Sequence, residues 1–261
     1  MRKRLKSFFE CHKKGYCALL LIVIIFFTCL FSEAEEKKEE KKVKYFSSTS
    51  FSFLLTGGNN RDQTFSFDTD QNVLFGKSQV NAKLNVIYAQ KNNQPRSEVY
   101  STQLKYNYRI NSGAYILGFL AGERNRLAGN EFRFAFAAGA GFVVLKKKRV
   151  EMSSEVSMGR TSENFRSIAQ LRDHTAYLSS IGTMRVMHNI SSTSQFTHQN
   201  SVFFNFKNLN DWRIDSNTAL AASISQHFAL NTSFRLIYDN EPVEGFKATD
   251  YFFLTSLVIR L

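Results

Sequence analysis

Cysteine is scarce in this chain, and its placement is informative. The three cysteines, Cys11, Cys17 and Cys29, all lie within the first 29 residues. If that stretch is removed on export, the remaining chain has neither a thiol nor a disulfide. Its stability must then come from packing and hydrogen bonding.

Proline is also rare, since Pro95 and Pro242 are the only 2 among 261 residues. Because proline is the residue without a backbone N–H, almost every position can donate a hydrogen bond within a β-sheet. The 26 phenylalanines and 10 tyrosines favour β structure, because aromatic side chains suit a pleated surface. No stretch has the pattern of a long amphipathic helix.

Long hydrophobic runs are absent except for one near the N-terminus, at 18–31, which follows a basic stretch. The run suits the core of a signal peptide and is short for a membrane-spanning helix. We therefore predict a signal peptide over residues 1–34. Its cleavage site is marked by Ser32 and Ala34, with Glu35 as the first mature residue.

Two alternatives exist for this leader. An uncleaved inner-membrane anchor is one, because the basic stretch before the run is long. Lipidation at Cys29 is the weaker one, because Phe26, Phe27 and Thr28 do not resemble the small residues that lipidation requires.

Residues 35–45 combine acidic and basic side chains with almost nothing to bury, as in 35-EEKKEEKKVK-44. We predict a flexible periplasmic tail here, with a short helix as the alternative. The chain has a formal net charge of +12, but the basic residues are dispersed and no nucleic-acid-binding module is recognisable. Nucleic acid is therefore not an expected partner.

From residue 46 to residue 261, segments of about ten residues alternate apolar and polar side chains, which is the pattern of β-strands. Short and longer connections also alternate, which is typical of a transmembrane antiparallel β-barrel. A water-soluble sandwich is the alternative. Twelve strands are predicted near 46–56, 63–75, 79–90, 98–110, 113–123, 131–145, 149–159, 174–187, 192–207, 212–226, 228–239 and 249–261.

The last segment keeps an apolar face to the C-terminus, formed by Tyr251, Phe253, Leu257, Ile259 and Leu261. In lipid, every backbone polar group must be paired, so a barrel must close its last strand against its first. We predict that these residues face lipid on the closing strand. They also resemble the C-terminal signal read by the barrel-assembly machinery, although that signal normally ends in an aromatic residue.

The C-terminal stretch 216–261 contains Thr218-Ala219-Leu220, Tyr238-Asp239-Asn240-Glu241-Pro242, Lys247 and Thr249-Asp250. Together with the weaker 56-TGGNN-60 and 137-AAGAGF-142, these pieces resemble the bacterial family called domain of unknown function 481. Members are often labelled salt-induced outer membrane proteins. The resemblance implies an outer-membrane barrel and a link to salt or envelope stress, but no mechanism.

Metal and cofactor sites are not indicated. His174, His188, His198 and His227 are widely spaced, and no phosphate-binding or dinucleotide-binding motif is present. The acidic loop 239–250 offers oxygen ligands that a hard cation would accept, but a solvated external loop is the preferred interpretation. Its acidic residues are Asp239, Glu241, Glu244 and Asp250.

An outer-membrane lipid-modifying enzyme is the main enzymatic alternative. Several such barrels resemble one another in placing His and Ser two positions apart on one strand, where both face the same side. No His-X-Ser occurs here, and His198 and Ser201 are three apart, as are His188 and Ser191. No local catalytic motif is therefore predicted, although a pair distant in sequence stays open.

If the apolar side chains face lipid, the charged ones between them face the interior. A pore with this wall would favour anions, because positive charges outnumber negative ones. An interior plugged by mutually paired charges is the alternative, and Phe252, Leu254 and Val258 on the inward side of the last strand suggest partial packing. The predicted inward charges are Lys83, Lys105, Arg109, Arg133, Glu151, Glu155, Arg213, Asp215 and Arg235.

We therefore predict a non-enzymatic barrel or narrow pore in the bacterial outer membrane, exported by its signal peptide. Its expected partners are outer-membrane lipid and, during biogenesis, the barrel-assembly machinery. A lipid-modifying enzyme and a surface interaction or adhesion barrel are the alternative functions. The sequence indicates no oligomeric state.

Overall fold

The computed structural model describes residues 43–55, 62–91, 94–126, 129–166 and 172–260. The predicted signal peptide, its cleavage residues Ser32, Ala34 and Glu35, most of the predicted tail and Leu261 lie outside the described residues. Twelve strands are present, namely β1 (Lys44–Leu55), β2 (Asp62–Phe75), β3 (Ser78–Lys91), β4 (Gln94–Arg109), β5 (Ala114–Asn125), β6 (Asn130–Lys146), β7 (Val150–Arg166), β8 (Arg172–Asn189), β9 (Ser194–Asn205), β10 (Trp212–Ser223), β11 (Phe228–Asp239) and β12 (Thr249–Arg260).

The strands form one closed antiparallel barrel, in which each strand pairs with its sequence neighbours and β1 pairs with β12. The β1–β12 seam runs from Ser48 opposite Arg260 to Phe51 opposite Leu257. It is shorter than the other strand pairs, but it pairs the backbone of the last strand with that of the first. The predicted closure of the barrel by the C-terminal strand is confirmed.

The connections define two ends of the barrel. The turn end carries the connections 76–77, 110–113, 147–149, 190–193 and 224–227. The loop end carries 56–61, 92–93, 126–129, 167–171, 206–211 and 240–248. Gly76 in the first of these turns has a φ of 60°, a backbone conformation that glycine adopts without steric cost.

Three loop-end connections, 92–93, 126–129 and 167–171, are shorter than the sequence predicts, and the first and last differ most. A loop was expected over 160–173, but β7 continues to Arg166 and β8 begins at Arg172. The polar residues there alternate like any strand, and inside the barrel they find polar partners, as the 2.8 Å hydrogen bond between Thr161 and Ser179 illustrates. Pro95 was also expected in a loop but lies in β4, next to a bulge in that strand: Ala89 pairs with Ser97 and Gln90 with Pro95, and proline is tolerated in a strand at such irregularities.

The outer face of the barrel is apolar and rich in exposed aromatic side chains. On the closing strand, Tyr251 and Phe253 are 73% and 69% exposed, and Leu257 is also exposed. Near the loop end, the Trp212 and Tyr238 rings are in contact at a tilt of 42°, with their centroids 5.2 Å apart. An apolar belt with aromatic residues near its rim is the surface that a barrel presents to a lipid bilayer.

Among the residues that the structure describes, no helix is long and apolar enough to cross a membrane.

Glycines allow strands β6 and β7 to pack closely. A Cβ on Gly139 would lie 2.0 Å from the Val156 carbonyl oxygen, and one on Gly159 would lie 1.9 Å from that of Phe136. Real Cβ atoms do not approach a carbonyl oxygen so closely, so both positions require glycine.

Candidate functional site

The barrel interior contains a cavity of about 1000 Å³. It extends to the turn end, where its wall includes Gly76 and Lys77 of one turn and Asn111 and Ser112 of another. All nine charged residues that the sequence analysis predicted to face the interior line its wall. The structure therefore brings these nine together around one space.

The cavity wall carries nine basic and five acidic side chains, an excess of four positive charges. The basic residues are Lys77, Lys83, Lys105, Arg109, Arg133, Lys146, Arg185, Arg213 and Arg235, and the acidic ones are Asp70, Glu123, Glu151, Glu155 and Asp215.

Several of these charges form pairs across the interior. Lys105 donates to both oxygens of Glu155 at 2.5 Å, and the Tyr115 hydroxyl donates to Glu155 Oε1 at 2.7 Å. Gly141 leaves room for this arrangement, since a Cβ there would lie 2.1 Å from Tyr115 Cζ. The Glu155 carboxylate is thus neutralised and held by residues of two other strands.

A second pair joins β10 and β11. Arg235 donates from Nε and Nη2 to the two carboxylate oxygens of Asp215, at 3.0 and 2.6 Å. On β2 and β3, Lys83 Nζ lies 3.4 Å from Asp70 Oδ2. These paired charges add little net potential to the cavity.

Arg109 and Arg185 differ, because neither forms an ion pair with a carboxylate among the described residues. Both line the cavity wall. Lys77 and Lys146 on the wall also form no ion pair among the described residues, so these four side chains carry its unpaired positive charge, against one unpaired carboxylate, that of Glu151. Arg185 was not among the predicted inward charges, although it has the same parity in β8 as the inward-facing Ile181 and Thr183.

Toward the loop end, charged side chains converge on Glu163, whose side chain is 0% exposed. Arg213 donates from Nη1 and Nη2 to the two Glu163 oxygens, at 2.6 and 3.2 Å. Arg133 Nε also donates to Glu163 Oε1. A fully buried carboxylate is tolerated because two guanidinium groups compensate its lost hydration.

Further acidic groups surround Arg213. Its Nη2 lies 2.9 Å from Asp211 Oδ1, and its Nε lies 3.2 Å from Asp239 Oδ2. The guanidinium also lies 5.0 Å from the centre of the Phe203 ring, a cation–π distance. We call Arg133, Glu163, Asp211, Arg213 and Asp239 the plug cluster.

The sequence analysis placed Arg133 and Arg213 inside the barrel but missed the acidic members of the plug cluster. Glu163 shares the parity of Glu151 and Glu155 on β7. It was missed because the predicted strand ended at residue 159. Asp239 was assigned to a solvated loop, whereas it is the last residue of β11 and pairs with Arg213.

The histidines do not assemble a catalytic site. None of the four described histidines lines the cavity. His198 Nδ1 lies 2.9 Å from Thr218 Oγ1 on the outer face, whereas Ser201 lines the cavity. The two therefore lie on opposite faces, as their spacing of three predicts.

Within the described part of the chain, no group of three or more His, Cys, Asp or Glu residues could hold a metal ion. The acidic residues of the 239–250 loop are dispersed, since Asp239 pairs with Arg213 and Glu241 accepts a hydrogen bond from Asn208.

The family comparison agrees with this architecture. The model of the family described as "Protein of unknown function, DUF481" matches residues 49–260. The chain belongs to the DUF481 family. The match spans the barrel from β1 to β12, so the whole cavity and the plug cluster lie within the DUF481 region. No curated protein matches this DUF481 chain in sequence.

Solved outer-membrane proteins resemble this DUF481 barrel at very low identity. The NanC porin is 8% identical, with 83% of this chain and 98% of that one covered and a TM-score of 0.48. The translocator domain of the autotransporter NalP from Neisseria meningitidis is 7% identical, with 94% and 96% covered and a TM-score of 0.44. An anion-selective porin from Comamonas acidovorans is 8% identical, with 84% and 98% covered and a TM-score of 0.39.

Proposed function

We propose that this DUF481 protein is a non-enzymatic outer-membrane barrel whose lumen favours anions and is closed near the loop end. The closed strand order and the apolar outer face support a place in a bilayer. The outer membrane of bacteria is the membrane in which such barrels reside. The shorter connections at the turn end suit the periplasmic side, and the loop end suits the exterior.

The plug cluster is the observation that supports a closed lumen. The cavity reaches the turns at one end, whereas Glu163, Thr161 and Asn130 are at most 1% exposed near the other. A solute entering from the periplasm therefore meets a layer of paired charges before it reaches the loops. Passage requires that the Arg213–Glu163 and Arg133–Glu163 pairs separate.

The charge of the wall supports selectivity for anions. Charged side chains select counter-ions when they lie close to the permeant ion. Arg109 and Arg185 are candidates, together with Lys77 and Lys146, because none of the four forms an ion pair with a carboxylate within the part of the barrel that the structure describes. Lys105 and Arg235 are already paired with Glu155 and Asp215 and contribute less.

The enzyme and adhesion alternatives gain no comparable support. Neither His198 nor the other described histidines face the cavity that holds the inward serines. The longest connection between strands is 240–248, which is modest for an adhesive surface. The link to salt or envelope stress stays a prediction from the family label.

Purified protein in planar bilayers tests the proposal. We expect low conductance for the native barrel and, in open events, a reversal potential across a salt gradient that reports anion preference. Arg109→Glu with Arg185→Glu should shift the preference toward cations. Lys247→Glu in the 240–248 loop is the control and should leave it unchanged. Cation preference in the native protein, unaffected by the double substitution, contradicts the proposal.

A further inference from the structure

Two connections at the loop end lie on opposite sides of the barrel mouth. The connection 126–129 joins β5 to β6, and the loop 240–248 joins β11 to β12. In the closed strand order, six strands separate them in either direction, β6 to β11 one way and β12 through β1 to β5 the other. Any contact between these two connections must therefore bridge the mouth.

Gly129 forms such a contact with the 240–248 loop. A Cβ on Gly129 would lie 2.8 Å from Cε2 of the Phe246 ring and 3.0 Å from Cβ of Val243. Both distances are shorter than an ordinary van der Waals contact, so any side chain at position 129 would displace the loop. The hydrogen atom of glycine leaves the space that the two apolar side chains occupy.

A tight turn places these two side chains next to each other. The Phe246 N–H donates to the Val243 carbonyl oxygen at 2.9 Å, and Gly245, the third residue of this turn, has a φ of 87°. A positive φ at that position is typical of a type II turn, which favours glycine there. Val243 and Phe246 are both half-buried, although they lie at the tip of a loop.

The base of the loop is fixed to its neighbour, the connection 206–211. Asn240 Nδ2 donates to the Asn210 carbonyl oxygen at 2.9 Å, and Asn208 Nδ2 donates to Glu241 Oε2. Polar contacts therefore hold the loop on the side where it leaves the barrel wall, and apolar contacts hold its tip on the far side of the mouth.

The environment of Asn130 agrees with a covered mouth. Asn130 directly follows Gly129 and is the first residue of β6, yet it is only 1% exposed. Asparagine is a residue that is mostly exposed in proteins, and the end of a strand at an open mouth would leave it hydrated. Its burial shows that water is kept from this side of the mouth.

We propose that the 240–248 loop is a strap that closes the loop-end mouth, with Val243 and Phe246 as its latch against Gly129. The inference rests on the proposed function in one respect, namely that a solute would leave the lumen at this end. It adds a second closure to that function, because ion pairs hold the plug cluster inside the barrel, whereas an apolar contact holds the strap. Opening then requires both separation of the Glu163 pairs and release of the latch.

Disulfide formation across the mouth tests the latch. The described barrel contains no cysteine, so the background needs only the three cysteines of the N-terminal stretch changed to serine. Gly129→Cys with Val243→Cys would place two Cβ atoms near the separation of about 3.8 Å that a disulfide needs. We expect several-fold more disulfide under mild oxidation than for Gly129→Cys with Glu244→Cys, whose second position is the exposed neighbour of Val243.

A second measurement leaves Gly129 unchanged, because its φ of 69° strains a cysteine at that position. Asn130→Cys in purified, detergent-solubilised protein should react slowly with a bulky water-soluble maleimide. Adding Phe246→Ala should speed the reaction several-fold by releasing the latch. Adding Lys247→Ala is the control, since this exposed side chain lies in the same loop and outside the latch.

Gels of boiled and unboiled samples establish that each variant is folded. Neither measurement depends on ion flow, so the strap can be judged separately from the anion preference of the lumen. Equal disulfide yields for the two cysteine pairs, or a reaction of Asn130→Cys that Phe246→Ala does not accelerate, would overturn the proposal.

Discussion

Arg213 binds both carboxylate oxygens of Glu163, although the two residues are 50 positions apart in the chain. Arg133 shares the same carboxylate from a third strand. This shared carboxylate is the centre of the plug cluster, so the stability of the fold and the proposed closure of the lumen near the loop end depend on the same contacts.

Glu163→Gln should therefore weaken the barrel and open it. The substitution leaves Arg133 and Arg213 without their common buried carboxylate, and breaking a buried pair costs about 3 kcal/mol or more. Asp211 and Asp239 still neutralise Arg213, so we expect the lower end of that range. Urea unfolding in lipid vesicles measures the loss, and bilayer recordings should show higher conductance.

Glu244→Gln in the 240–248 loop is the control for this experiment. No ion pair or hydrogen bond involves its side chain among the described residues. Wild-type stability and conductance in Glu163→Gln would contradict the role of the plug cluster.

Gly141→Ala should destabilise the barrel by about 1–3 kcal/mol, the usual cost of overpacking. Its new Cβ would lie 2.1 Å from the Tyr115 ring, which is held in place by the hydrogen bond to Glu155. Adding Tyr115→Ser should recover part of the loss. Gly182→Ala is the matched control, because nothing lies within 4 Å of its Cβ position. Equal unfolding midpoints for the two alanine variants would disprove the close contact.

A charge on the outer face should be costly, whereas one on the inner face should be tolerated. Phe234→Arg places a guanidinium in the middle of β11 on the apolar belt and should cost about 2–4 kcal/mol. Thr183→Arg, on the cavity wall, is the comparison and should cost clearly less. Unfolding from vesicles measures both, and the reverse order of cost would show that the faces are assigned wrongly.

Export should remove residues 1–34, because the basic start, the apolar run and Ser32-Glu33-Ala34 agree on one cleavage site. Mass spectrometry of the protein from purified outer membranes should find an N-terminus at Glu35. An intact Met1, or a lipid on Cys29, would support the anchor or the lipoprotein alternative instead.

The positions of the strands and the side of each strand on which a residue lies are local properties, and both could be predicted from the sequence. Neighbouring residues on a strand point to opposite sides, so the apolar and polar faces of an alternating segment can be assigned from that segment alone. For that reason the order of the twelve strands and the inward parity of residues such as Lys105 and Arg213 could be predicted. Strand ends near Glu163 could not, because a polar stretch resembles a loop until its partners are known.

The pairing of charges was decided by the tertiary structure alone. The guanidinium groups that contact Glu163 are set by the register of every strand between β7 and β10 and by the width of the closed barrel. The alternation of residues along one strand contains neither kind of information. The sequence determined that this chain is a barrel with an apolar outside and a basic inside. Only the tertiary structure decided that Arg109 and Arg185 stay unpaired and that Glu163 pairs with both Arg133 and Arg213, because electrostatic pairing depends on distance in space and not on separation along the chain.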